Sequence, residues 1–71
     1  MDINIKNSVD FGKVVAQRRK ELGYTQEDIA QFLGLSKSFI SDLENGKKTA
    51  ELNKSLLLAD TLSLDIKITA R

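Results

Sequence analysis

Apolar residues recur at intervals of three and four along most of the chain, and this spacing predicts a series of short helices. A first helix is predicted to run from Ser8, a suitable N-cap, to Leu22, with Gly23 ending it. A second is predicted to begin after the N-cap hydroxyl of Thr25, which has a capping-box carboxylate three residues later at Asp28. The inward positions of these two helices are Phe11, Val14, Val15, Leu22, Ile29, Ala30 and Leu33.

Glycine also marks the ends of the second and third helices. Gly34 supplies a left-handed residue after the second helix, and Ser36 is the natural N-cap of a third helix over residues 37–45. Gly46 ends that helix, and a fourth is predicted over residues 50–62. The apolar residues of the third and fourth helices are Phe39, Ile40, Leu43, Leu52, Leu56, Leu57, Leu58, Ala59 and Leu62. The chain is therefore predicted to be mainly α, with more leucine in its last helix than one buried stripe requires.

The period changes after the fourth helix. Leu64, Ile66 and Ile68 alternate with polar residues, which predicts a β-strand over residues 64–69. A lone strand leaves its backbone donors and acceptors unpaired, so it needs a partner strand. That partner is either the same segment of a second copy, antiparallel about a two-fold axis, or the N-terminal alternation of Met1, Ile3 and Ile5.

Composition limits the chemistry that this chain can support. It has 71 residues with no cysteine and no histidine, which excludes a disulfide, a structural zinc site and any thiolate or imidazole catalyst. The length allows one domain over residues 1–71, and a core of this size supplies only about 3–5 kcal/mol. We therefore expect no metal or cofactor, and we expect a second subunit or another partner to stabilise the fold.

The same composition argues against a membrane protein and against an enzyme. No apolar run approaches the roughly 20 residues of a membrane helix, and the first residues are too polar for a signal peptide, so the cytoplasm is the expected location. The carboxylate pair of Glu27 and Asp28 has no accompanying nucleophile, metal ligands or phosphate-binding glycine loop. A chain this short also leaves little room for a substrate pocket of about 300 Å³ or more.

The third helix has a face that is entirely polar, formed by Lys37, Ser38, Ser41 and Asp42. Two short helices joined by a glycine turn, the second with a polar outer face, are typical of a helix-turn-helix DNA reader. Side chains near the start of the second of these helices reach base edges in the major groove. Lys37 can donate to guanine and Ser38 can donate or accept, whereas Asp42 can either accept from cytosine or pair locally.

The segment QEDIAQFLGLSKSFISDLEN, over residues 26–45, resembles the helix-turn-helix of the Cro/repressor (XRE) family. The resemblance rests on a small residue at Ala30, the turn glycine at Gly34 and apolar core positions, and it extends to the flanks R-x-x-x-G-Y-T-Q and L-E-N-G-K. It covers most of the chain, from Phe11 to Leu64. It implies a compact four-helix repressor-like domain, with helices over residues 8–62.

The resemblance also implies roles for individual residues. Positions matching Lys37, Ser38 and Asp42 read bases in relatives, and those matching Gln26, Asn45 and Lys47 hold phosphates. The full set that we expect at the DNA is Gln26, Ser36, Lys37, Ser38, Ser41, Asp42, Asn45 and Lys47. A partly buried structural salt bridge between Arg19 and Glu44 is implied as well, since both residues match the family.

Charge favours two copies of this DNA-reading unit. The net charge is only +1, and residues 25–48 hold three basic and four acidic groups. Because each phosphate contact adds salt-sensitive affinity, a monomer with so few basic groups is expected to bind DNA weakly. We therefore expect a homodimer on a palindromic operator, with half-sites about 34–36 Å apart.

The C-terminal sequence TLSLDIKITAR, a helix end followed directly by a strand, resembles the HipB-like antitoxins. That resemblance implies a strand over residues 64–69 that pairs with its dimer mate, and a HipA-like serine/threonine kinase toxin as protein partner. Ser63 stands where these relatives commonly have glycine. The predicted dimer interface is Leu57, Leu64, Ile66 and Ile68, although an exposed leucine at position 57 also suits a toxin contact.

Three functions remain open from the sequence. The leading one is a DNA-binding transcriptional autorepressor that is also the antitoxin of a kinase toxin. The second is a stand-alone repressor of phage or restriction-control type, which uses the same DNA face. The third, of a different class, is a helical interaction module without DNA binding, suggested by Asp42 and the slightly acidic reading unit.

Overall fold

A computed structural model describes residues 2–71, and Met1, one of the predicted strand positions, lies outside the described residues. Four helices follow one another along the chain. They are α1 (Ser8–Glu21), α2 (Gln26–Leu33), α3 (Lys37–Glu44) and α4 (Leu52–Thr61). The prediction of a mainly helical domain with four helices is confirmed. Helix α2 ends at its predicted residue, and the other three end one residue earlier than predicted.

The caps of α2 and α3 form as the sequence predicts. The Thr25 hydroxyl accepts from the Asp28 amide at 3.0 Å, and the Asp28 carboxylate accepts from the Thr25 amide at 2.9 Å, which completes a capping box. These hydrogen bonds hold the pKa of Asp28 below its usual value, and the bond from the Thr25 amide has the larger effect. At α3 the Ser36 hydroxyl accepts from the Phe39 amide at 3.0 Å. Both helices of the turn thus begin where local chemistry places them.

The structure corrects two predictions, the N-cap of α1 and the start of α4. Asn7, not Ser8, caps α1, because its side chain accepts from the Asp10 amide at 2.8 Å while the Ser8 hydroxyl donates to the Gly46 carbonyl. Helix α4 begins at Leu52, two residues later than predicted. Its N-cap is Glu51, whose carboxylate accepts from the amides of residues 53 and 54 at 3.1 and 2.8 Å. An acidic cap at this end also suits the helix dipole.

A residue with positive φ follows each of the four helices within two residues of its end. Three are the predicted glycines, and the fourth is Ser63, with φ of 59°. After Ser63 the Leu64 amide donates to the Ala59 carbonyl at 2.9 Å and the Ser63 amide to the Asp60 carbonyl at 3.0 Å, the same pattern of hydrogen bonds that follows the glycines. A side chain in this conformation costs roughly 1 kcal/mol more than glycine. Serine therefore forms the turn at the position where relatives have glycine.

The core lies where the four helices meet. Val15 of α1, Ile40 of α3 and Leu58 of α4 are fully buried. The other buried apolar residues are Ile29, Ala30, Leu43, Ala59 and Leu62. Leu22, predicted to face inward, is exposed because it caps the end of α1. The leucines of α4 divide between buried residues and an exposed set formed by Leu52, Leu56 and Leu57.

The predicted strand does not form within a single chain. Residues 64–71 and 2–6 have no helical or strand hydrogen-bonding pattern, and residues 2–71 contain no strand at all. Ile66 is half exposed, and Ile68 is 99% exposed. A strand requires a neighbouring backbone, and none of the described segments supplies one to residues 65–71. Among the residues described, no helix is long and apolar enough to cross a membrane.

Candidate nucleic-acid interface

Helix α3 presents two chemically different sides. Ile40 and Leu43 are buried against the other helices, whereas Lys37, Ser38 and Asp42 are exposed on the opposite side. Ser41, also predicted to contact DNA, is only partly exposed. The 3.6-residue period places the buried and exposed sets on opposite faces, so anchoring the apolar face fixes the direction of the polar one.

A buried ion pair ties this helix to α1. Arg19 Nε donates to Glu44 Oε2 at 2.7 Å, and the second guanidinium nitrogen, Nη2, donates to Oε1 at 2.9 Å. Arg19 Nη1 also donates to the Tyr24 carbonyl at 2.7 Å. The two charged side chains are only 9% and 6% exposed. The resemblance implied this pair, and the structure contains it with two parallel N–H···O bonds.

Electrostatics keep both groups of the pair charged. Burial alone raises the pKa of Glu44, but the hydrogen bonds from Arg19 and Gln26 outweigh it and hold that pKa below its usual value of 4.5. The hydrogen bond with Glu44 likewise raises the pKa of Arg19, against the opposing effect of burial. The carboxylate therefore stays ionised and remains an acceptor for three N–H donors.

The third donor is Gln26, the first residue of α2. Its Nε2 donates to Glu44 Oε1 at 3.1 Å, so the buried carboxylate orients the amide that was predicted to hold a phosphate. An amide nitrogen carries two N–H groups, which leaves one for a ligand. Gln26 lies at the helix N-terminus, where backbone N–H groups and the dipole favour anions. The geometry thus suits a phosphate contact at this position.

A shallow concave surface of about 560 Å³ connects the start of α2 with the start of α3. Gln26 and Lys37 both line it, together with Arg19 and Lys20 from α1. The structure therefore brings together a predicted phosphate contact and a predicted base contact. Lys20 was not predicted. Its only signal in the sequence is its place in the basic run at the end of the first helix, a run that also suits the helix dipole.

The remaining predicted contacts make local hydrogen bonds. Asn45 Nδ2 donates to the Ser41 carbonyl at 2.9 Å, and Lys47 Nζ lies 3.4 Å from Asp42 Oδ2. The pair between Lys47 and Asp42 is half exposed, so it is weak and can open to solvent or to a ligand. The hydroxyl of Ser36 keeps its O–H for a further partner while its oxygen caps α3. Asn45 and Lys47 thus lie at the C-terminal end of α3, whereas Ser36 lies at its start.

Two of the predicted dimer residues share a groove with Lys47, one of the predicted DNA contacts. Ile66 and Ile68 line a groove of about 720 Å³ with the N-terminal segment and the start of α4, whereas Leu57 is exposed outside it. Phe32 is 77% exposed on α2, and the sequence analysis did not predict this exposure. The described residues contain no group of acidic side chains that could hold a metal ion.

Helices α2 and α3 are joined at Gly34, and α3 has a buried inner side and a polar outer face. This arrangement defines the helix-turn-helix class of proteins. Residues 15–68 match the family model described as helix-turn-helix. The chain belongs to this family. Family membership makes it a DNA-binding transcriptional regulator and not an enzyme, as the sequence predicted.

Among curated proteins, an uncharacterized HTH-type transcriptional regulator, y4mF, of Sinorhizobium fredii is 41% identical over 93% of this chain and 87% of its own length. The ImmF control region 10 kDa protein of Bacillus phage phi105 is 30% identical over 82% of this chain and 64% of its own. The competence pilus inhibition repressor of Acinetobacter baylyi is 48% identical over 56% of this chain. That match spans only 36% of the repressor.

Solved structures share the whole fold. A HipB–O4 20mer complex has a TM-score of 0.87 to this chain, with 20% identity and 97% of both chains covered. A HipA–HipB–O2–O3 complex gives the same TM-score of 0.87, the same 20% identity and the same coverage of 97%. At this identity the likeness establishes the fold alone.

Proposed function

We propose that this protein is a sequence-specific transcriptional autorepressor that binds DNA as a homodimer and serves as the antitoxin of a HipA-like kinase toxin. The observation that carries the DNA-binding part is the concave surface shared by Gln26, Lys37 and Lys20. It joins a helix N-terminus, an oriented amide and two ammonium groups at the side of the exposed α3 face. Such a protein acts in the cytoplasm, where its operator lies.

Phosphates and bases are contacted by different residues in this proposal. Gln26 and Lys20 hold the backbone beside α2, and Asn45 and Lys47 hold it at the far end of α3. Between these two sets of phosphate contacts α3 enters the major groove, where Lys37 donates to guanine and Ser38 contacts the neighbouring base. Ser36, Ser41 and Asp42 complete the surface, with Asp42 balanced between a base and its ion pair with Lys47. The buried Glu44 fixes the direction of Gln26.

Replacing Lys37 with alanine is expected to weaken the specific operator by about 1–3 kcal/mol, because a base contact in the major groove is lost. Binding to random DNA should change little. The measurement is a gel-shift titration against the promoter of the protein's own gene and against a scrambled duplex. Lys13→Ala is the matched control, since it removes an exposed lysine of α1 away from the concave surface.

An equal loss on both duplexes would reassign Lys37 to the phosphate backbone. A wild-type protein that fails to retard its own promoter even at low salt would instead favour the interaction module. Low salt is the decisive condition, because phosphate contacts strengthen as counterion release becomes more favourable.

The antitoxin role is supported by the fold, which matches HipB structures over 97% of this chain, one of them a complex that also contains HipA. We expect a kinase encoded beside this gene to arrest growth when expressed alone and to be neutralised when the two are expressed together. Copurification of the two proteins, with and without Lys37→Ala, separates toxin binding from DNA binding. A neighbouring kinase that neither binds nor is neutralised would overturn the antitoxin role.

A stand-alone repressor is the second candidate. The ImmF control region 10 kDa protein and the competence pilus inhibition repressor, neither of them named as an antitoxin, are similar to this chain in sequence. Such a protein would use the same DNA face and the same homodimer. Specific operator binding without any kinase partner would select this alternative over the first.

A further inference from the structure

We propose that Ser8, at the start of α1, is a positioning residue for DNA binding. Its hydroxyl holds the peptide group between Gly46 and Lys47, and this sets the direction in which Lys47 leaves the end of α3 toward a phosphate. The proposal rests on the proposed function, in which Lys47 contacts the DNA backbone. It gives α1 a part in that contact, although none of the DNA contacts expected from the sequence lies on α1.

The first observation is a hydrogen bond between distant segments. Ser8 Oγ donates to the Gly46 carbonyl at 2.8 Å, and the bond is partly buried. A serine at a helix start usually turns its oxygen toward the amides of its own helix. Here Asn7 fills that role by accepting from the Asp10 amide at 2.8 Å, which leaves the Ser8 hydroxyl for the loop after α3.

The second observation is that the peptide group between Gly46 and Lys47 is held at both of its polar atoms. Its carbonyl oxygen accepts from Ser8, and its N–H group donates to the Asp42 carbonyl at 3.0 Å. A peptide group is planar and includes the Cα atom of the residue that follows it. These two hydrogen bonds therefore fix the point from which the Lys47 side chain starts.

Packing supports the same loop from the side of α1. Gly46 is buried with a φ of 85°, and a Cβ atom there would lie 2.9 Å from the Val9 Cα and 2.8 Å from its Cγ2. Such distances leave no room for a side chain, so the loop backbone lies directly against the first turn of α1. Val9 thus limits how close the loop can come, and Ser8 keeps it from moving away.

The fixed backbone directs Lys47 toward the exposed face of α3. Its Nζ lies 3.4 Å from Asp42 Oδ2, and both side chains are about half exposed. Exchanging this carboxylate for a phosphate needs only rotation of the lysine side chain, because the loop is already ordered. Groups that must be ordered on binding lower the affinity, so a loop held in advance strengthens the contact.

Ser8→Ala tests the role of the hydroxyl. We expect it to weaken binding by about threefold to tenfold, both to the promoter duplex and to a scrambled duplex, because a phosphate contact carries no base specificity. The dependence of affinity on salt should also become less steep, since fewer counterions are released. Ser8→Thr keeps the hydroxyl and should bind like wild type. Gel-shift titrations of the full chain at several salt concentrations measure all three effects.

A double-mutant cycle separates positioning from a general effect on folding. Lys47→Ala should weaken binding to both duplexes, because it removes the phosphate contact itself. Adding Ser8→Ala to that variant should cost little more, since the hydroxyl then has no lysine to position. If Ser8 acted only through the stability of the domain, the two losses would multiply.

Ser55→Ala is the matched control. Ser55 Oγ also donates to a backbone carbonyl in a partly buried place, that of Glu51 at 2.7 Å, but both residues belong to the start of α4. This variant loses the same kind of hydrogen bond without releasing the loop after α3, so its DNA binding and salt dependence should change little. Urea denaturation of every variant gives the folded fraction by which the affinities are corrected.

Two results would refute the positioning role: wild-type affinity in Ser8→Ala, or losses that multiply in the double variant. A Ser8→Thr variant as weak as Ser8→Ala would count against the hydroxyl in the same way. If Lys47→Ala binds like wild type, the contact that Ser8 is proposed to position does not exist, although operator binding by the wild-type chain would leave the proposed function standing. Failure of the wild-type chain to bind its operator would overturn both.

Discussion

Glu44→Ala is expected to lower the free energy of unfolding by about 3–5 kcal/mol, the cost of leaving one partner of a buried ion pair without the other. Arg19 would keep its hydrogen bond to the Tyr24 carbonyl but lose the acceptors of Nε and Nη2, in a site where its side chain is 9% exposed. Domains of this size have a total stability near the low end of about 5–15 kcal/mol. The variant should therefore be largely unfolded at 37 °C.

Urea denaturation followed by circular dichroism measures this loss. The matched control is the double variant Arg19→Met, Glu44→Leu, which removes both charges and replaces them with apolar groups of similar volume. It should recover most of the stability, because no charge is left buried without a partner. A single variant as stable as wild type, or a double variant no better than the single one, would show that the ion pair does not matter in this way.

Acidification should reproduce part of the same loss. Because the pKa of Glu44 is lower in the folded chain than its usual 4.5, the folded state binds the proton less readily than the unfolded state does. The stabilisation is therefore complete above the unfolded pKa and disappears as the pH falls through the folded pKa. Glu44→Gln should flatten that slope, leaving the contribution of Asp28, whose pKa is shifted in the same direction.

Gly12→Ala is expected to destabilise the domain by about 1–3 kcal/mol, although alanine normally favours a helix over glycine by about 0.5–1 kcal/mol. Gly12 is buried within α1, and an added methyl group would meet the Leu43 carbonyl oxygen and lie 2.7 Å from that of Glu44. Both neighbours are backbone atoms at the end of α3. Because they cannot rotate away, α1 and α3 must separate, which also strains the ion pair between Arg19 and Glu44.

Thermal unfolding and gel-shift titration together test this expectation. Gln17→Ala, at an exposed position of the same helix, is the control and should leave both measurements nearly unchanged. The glycine variant should lower the melting temperature and weaken operator binding, since α3 carries the reading face. A gain in stability would mean that the two helices adjust easily and that the close approach has no role.

Much of the fold was predictable because the signals are local. The capping box of Thr25 and Asp28, the cap at Ser36 and the glycines after the helices all act within one turn of chain. The polar face of α3 follows from the same periodicity. The N-cap of α1 and the start of α4 were predicted wrongly. Asn7 took the role predicted for Ser8, because the Ser8 hydroxyl is used by Gly46, 38 residues away in sequence.

The candidate site likewise contains residues that the sequence predicts and residues that only packing brings together. The residues of α3 were named from spacing, whereas Lys20 joins them only because the end of α1 lies beside the starts of α2 and α3. The hydrogen bond from Gln26 to Glu44 spans 18 residues and carries no sequence signal of its own. The exposure of Phe32 depends likewise on which helices pack against α2. Long-range contacts of this kind are set by packing and not by neighbours in the chain.

By itself the sequence determined four helices, the glycines that follow three of them and the helix-turn-helix class, and it led us to expect a second subunit. Those conclusions depend on periodicity, capping chemistry and charge, which act over a few residues or over the whole composition. Only the tertiary structure decided that Gly12 allows α1 to touch the backbone of α3, and that residues 65–71 stay unpaired within one chain. The physical reason is that close packing and strand pairing are relations between distant segments, and they exist only once the helices have met.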